Sequence, residues 1–74
     1  MMFSSTNMPV IGSRVVLVMG DDREPSVPMP ADGSVGTVMR HGEILVDDVW
    51  VCFDVEPDAD QECDPAWLAP VVGG

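Results

Sequence analysis

Seventy-four residues make a single domain with a small core, too small to enclose a large cofactor. The formal net charge is −10, from 13 Asp and Glu against three Arg and no Lys, which argues against direct binding of nucleic acid or of an anionic membrane. Hydrophobic residues at 46% suffice for a folded chain, so the charge bears on solubility and on basic partners, not on disorder.

Residues 1–11 are dominated by Ser, Thr, Asn and Pro, without periodicity, and are expected to form a flexible leader. They carry no basic stretch ahead of a long apolar run, so no signal peptide is read there. No segment reaches the ~20 apolar residues of a membrane span. A cytoplasmic protein is therefore expected, with Cys52 and Cys63 as free thiols; the sequence alone leaves a disulfide between them open.

Gly12 and Ser13 open a first strand, Arg14 to Met19, with Val15, Leu17 and Met19 on one face. A long loop follows from Gly20 to Gly33, stiffened by Pro25, Pro28 and Pro30. Its Pro-x-x-Pro spacing at Pro25 and Pro28 reads as a rigid surface loop before it reads as a polyproline ligand. Ser34 to Arg40 is a second strand, and Gly36 within it suggests a bulge or sharp bend. Glu43 to Val46 is either a separate short strand or a continuation of the second.

Val49 to Val55 is the central strand. Alternation sets Val49, Val51, Phe53 and Val55 toward the core and Trp50, Cys52 and Asp54 outward. Glu56 to Asp64 forms a loop or a short edge strand. Asp64-Pro65-Ala66-Trp67 predicts one helical turn, with Asp64 as cap and Pro65 at its first position. Leu68 to Val72 closes as a last strand, which Pro70 confines to a sheet edge. The domain spans residues 12–72, and 73–74 form a tail.

Four stretches carry a likeness to known domains: Gly12-Ser13-Arg14-Val15, Asp32 to Val38, Val49 to Asp54, and Pro65 to Val71. Their order resembles small SH3-like β-barrels of the KOW and nitrile-hydratase-β type. That resemblance implies an all-β fold, a five-stranded barrel with a long first loop and a short 3-10 turn before the last strand. It implies little about function, because such barrels serve many roles. The loops here are rich in acids and poor in bases, which departs from RNA-binding KOW domains.

The most distinctive motif is a row of acids at alternate positions: Asp54, Glu56, Asp58, Asp60, Glu62 and Asp64. In an extended chain alternate residues lie about 6.7 Å apart. Duplex DNA carries a charge per ~1.7 Å, so the row is about fourfold too sparse to imitate it unless other acids, Asp47 and Asp48 among them, join the same face. Asp58, Asp60 and Glu62 also resemble the start of an EF-hand calcium loop. Cys63 stands where that loop needs Gly, and Ala69 where it needs the bidentate Glu. His41, Cys52 and Cys63 lack the paired spacing of a zinc site. No nucleotide-binding or nucleophile-elbow motif is present, and neither Cys has a cationic sequence neighbour. The chain is thus expected to be neither an enzyme nor the holder of a metal or cofactor.

The sequence favours a non-catalytic interaction module with a strongly acidic surface, binding a basic protein partner or self-associating. Its expected contact residues are Trp50, Asp54, Glu56, Asp58, Asp60, Glu62, Asp47 and Asp48. An outward Trp50 marks either such a site or a small second core under the loop Asp21 to Pro30. The alternative function is a nucleic-acid mimic that inhibits a DNA- or RNA-processing or defence enzyme, as in phage and mobile elements.

Overall fold

Among the described residues five short strands follow one another, and their order in space is what positions the surface described below. The computed structural model describes all residues except 1, 5, 23–28, 43–47 and 72–74. The strands are β1 (Arg14–Leu17), β2 (Val35–His41), β3 (Val49–Phe53), β4 (Asp60–Cys63) and β5 (Leu68–Pro70). All pair antiparallel in one sheet of order β4-β3-β2-β1-β5. Two 3-10 turns, Gly20–Asp22 and Pro65–Trp67, are the only helical elements among the described residues.

Period-two alternation builds the core, as the sequence predicts. Val15 and Leu17 of β1, Val38 of β2, Val49, Val51 and Phe53 of β3, Cys63 of β4 and Leu68 of β5 are all buried, together with Met19. A fully buried side chain of this size contributes roughly 1.5–3 kcal/mol. Gly36 leaves no room for a side chain between β2 and β3. A Cβ there would lie 2.6 Å from Val51 Cγ1 and 2.8 Å from the Cys52 carbonyl. The irregularity expected at Gly36 lies instead at Met39, where the β2–β3 register shifts between Val38 and Arg40. Met39 is the extra residue, and skipping it sets Arg40 opposite Trp50.

The final turn is built as the sequence predicts. Pro65 occupies its first position, and the Asp64 carboxylate accepts the Ala66 amide at 2.9 Å. Pro70 is paired on an edge strand. Asp32, in the long first loop, accepts the amides of Met19 at 3.1 Å and Gly20 at 3.0 Å, which fixes the first 3-10 turn.

Several expectations are corrected. Strand β1 ends at Leu17, not Met19, and Val18 is exposed. Val55, expected in the core, is 66% exposed because β3 ends at Phe53 and the chain turns at Asp54-Val55. The leader does not hang free. Phe3 and Met8 pack against the core, Pro9 is buried, the Phe3 amide donates to the Leu68 carbonyl at 3.0 Å, and the Gly12 amide to the Val38 carbonyl at 2.7 Å. A segment without periodicity can still seal a sheet edge, because sealing needs one or two apolar anchors and not a repeating face. The suggested strand 43–46 and the Pro25/Pro28 spacing lie outside the described residues.

Candidate interaction surface

In an antiparallel pair, residues directly opposite each other share a face. The register therefore lays out the outer face of the sheet row by row. One row runs Glu62–Trp50–Arg40, another Asp60–Cys52–Thr37–Arg14, and a third Val35–Val16–Ala69. These side chains are half-buried or exposed, so this face is turned to solvent.

Trp50 faces outward as expected, but it is half-buried, with the Arg40 guanidinium 4.7 Å from its ring centroid. A cation over an indole face is worth about 0.5–1 kcal/mol at an exposed site. Arg14 forks onto Asp54, Nη1 to Oδ1 at 3.0 Å and Nη2 to Oδ2 at 2.5 Å, and also donates to the Thr37 hydroxyl at 3.0 Å. The hydrogen-bonded guanidinium holds the Asp54 carboxyl below its usual range, and Asp54 in turn raises Arg14.

The row of acids does not form one line. Asp54, Glu56 and Asp58 lie in the connection of the β3–β4 hairpin, Asp60 and Glu62 lie on β4, and Asp64 caps the last turn. Only Asp60 and Glu62 keep the spacing and shared face that the alternation implied. Glu56 accepts from Gln61 Nε2 at 3.3 Å. All six are exposed. Asp48 enters β3 beside the buried Cys63, while Asp47 lies outside the described residues.

Burial, with Asp48 and Glu62 nearby, pushes the Cys63 thiol up to about 12, so it stays protonated and unreactive. The cysteines are free. Cys63 pairs with Val49 on the inner face and Cys52 with Asp60 on the outer face, so the two thiols lie on opposite sides of the sheet. His41 Nε2 lies 2.8 Å from the Pro9 carbonyl and ties the leader to β2. Among the described residues, no group of three His, Cys, Asp or Glu is arranged to hold a metal ion, and no helix is long and apolar enough to cross a membrane.

Sequence reasoning missed two contacts made by arginines. Arg14–Asp54 joins residues 40 apart, and Arg40 reaches Trp50 only through the Met39 bulge. No local signal encodes either. No family model, curated protein or solved structure matches this chain.

Proposed function

We propose that this chain is a non-catalytic interaction module that binds a basic protein partner along β4 and the β3–β4 hairpin. One observation carries the reading: seven of the 13 acids fall between residues 48 and 64, on that hairpin and its flanks. On the outer face the bases of this sheet, Arg14 and Arg40, are already held by Asp54 and Trp50. Asp58, Asp60 and Glu62 are thus left to an incoming cation, with Trp50 beside Glu62 as a flat anchor. We read the sheet as a small SH3-like barrel: its strand order, its long first loop and the turn before β5 support that. We also place the protein in the cytoplasm, with no direct contact to nucleic acid or membrane.

A charge-matched comparison tests this. Asp58→Asn with Asp60→Asn and Glu62→Gln removes three charges from the hairpin. Asp21→Asn with Asp22→Asn and Glu24→Gln removes three charges elsewhere. Titrated with a Lys- and Arg-rich probe peptide, the first variant should lose about tenfold in affinity and the second little. Equal losses would mean that the charge acts only as a diffuse field. The gathering of acids at one edge also supports a second reading, a nucleic-acid mimic. Displacement of the chain from a DNA-binding enzyme by duplex DNA would favour it, and indifference to salt would remove it.

A further inference from the structure

The two edges of the sheet differ in their main chain. On β5 the Leu68 carbonyl is taken by the Phe3 amide. On β4, among the described residues, no strand and no main-chain hydrogen bond lies beyond the side paired with β3. A strand edge with unpaired amides and carbonyls is a template for one more strand. We propose that β4 takes an added strand from the partner, an extended segment with Lys or Arg at alternate positions. This rests on the basic-partner reading above and names how that partner docks.

The register decides the occupant. Residues of an added strand that face outward would stand directly opposite Asp60 and Glu62, which share the outer face two residues apart. Like charges opposite each other are destabilising. A second copy of this chain pairing β4 to β4 would set carboxylates against carboxylates, so the edge rejects itself. A strand with cations at the same spacing continues the alternation already present across the sheet, Arg40, then Trp50, then Glu62. Its intervening residues would face inward beside Gln61, which pairs with the buried Val51, so small or apolar side chains suit them. Charge gives the partner its sign, and the exposed main chain gives it its conformation.

Three peptides of equal length and charge separate these elements. One alternates Lys and Val. A second has the same composition with its Lys residues in a block. The third repeats the alternating peptide with N-methyl groups on every second amide, made in both phases. With the full chain, amide-resolved NMR and hydrogen exchange should show the alternating peptide protecting alternate amides of Asp60–Cys63. Methylation in one phase should weaken it at least about tenfold, and in the other phase little. Equal affinity for alternating and block peptides, with both methylated phases harmless, overturns strand addition and leaves the basic-partner reading standing. Protection at the Phe3–Leu68 edge instead also overturns it. Failure of every peptide to bind removes both. Asp60→Asn with Glu62→Gln, both exposed and outside the core, should weaken the alternating peptide while the circular dichroism spectrum stays unchanged.

Discussion

The β5 edge and the β4 edge of this sheet solve one problem in opposite ways. Both are strand edges that would otherwise recruit other chains. The β5 edge is sealed by the molecule itself: Phe3 bonds to Leu68, Pro70 removes a donor, and no acid occurs from Pro65 to Val71. The β4 edge has no such cover among the described residues and carries Asp60 and Glu62, with Asp54, Glu56 and Asp58 in the adjoining connection. Covering an edge blocks every partner. Charging an edge blocks partners of the same sign and leaves the main chain within reach of the opposite sign. That difference is why the functional proposal rests on β4 and not on β5.

The largest expected effect contrasts the two faces of the β4 hairpin. In native protein at pH 8, Cys52 should react with a thiol reagent at least about a hundredfold faster than Cys63, which waits for opening of the core. Comparable rates would mean that the inner face of β4 is not closed. The sign for stability follows from the same thiol. Its folded pKa is raised, so the unfolded chain releases the proton first, and stability falls as pH climbs from the ordinary 9.0 toward about 12.

Gly36→Ala strikes the centre that both edges share. The added Cβ meets the buried Val51 and the Cys52 main chain, and a loss of about 1–3 kcal/mol in urea unfolding is expected. An unchanged midpoint would show that β2 and β3 have room to part. Phe3→Ala tests the sealed edge alone. Phe3 is half-buried, so a loss of about 2 kcal/mol is expected, less than for a fully buried Phe, together with faster exchange of the Val18 amide, which donates to the Trp67 carbonyl next to β5. Retained stability would mean the leader is not a seal.

The smallest effect belongs to the exposed Arg14–Asp54 pair, 47% and 58% exposed. Screening by water leaves such a pair little weight in stability. Its pH dependence has a definite sign. Asp54 is lowered on folding, so its contribution is complete above the ordinary 3.8 and fades as pH falls through the depressed value. A carboxyl titration by NMR in wild type and in Arg14→Ala checks it: the Asp54 midpoint should rise in the variant.

Period-two alternation was legible where strands are buried. Val49, Val51 and Phe53 face the core as read, and so do Val15 and Leu17. The cap at Asp64 and the edge position of Pro70 were also legible, because their causes are local. Alternation misled where the chain left the sheet. Val55 and the acids Asp54 to Asp58 keep the period in sequence, but the hairpin turn removes the strand geometry that gives the period its meaning. Contacts across the chain were out of reach: Asp32 on the Met19 and Gly20 amides, Arg14 on Asp54, and Phe3 on Leu68 depend on pairings that no short window contains. Of the candidate contact residues, Trp50 was correctly set outward, and Asp60 and Glu62 do share its face. What lies beside them, Arg40, needed the bulge at Met39 to be seen.

Residue-resolved amide exchange on the free protein tests the contrast between the edges most directly. Alternate amides of Asp60–Cys63, those directed away from β3, should exchange nearly as fast as in an unstructured peptide, while the Phe3 amide is slowed by its bond to Leu68. Slow exchange at every β4 amide, or an unprotected Phe3, would contradict an open acidic edge facing a sealed one.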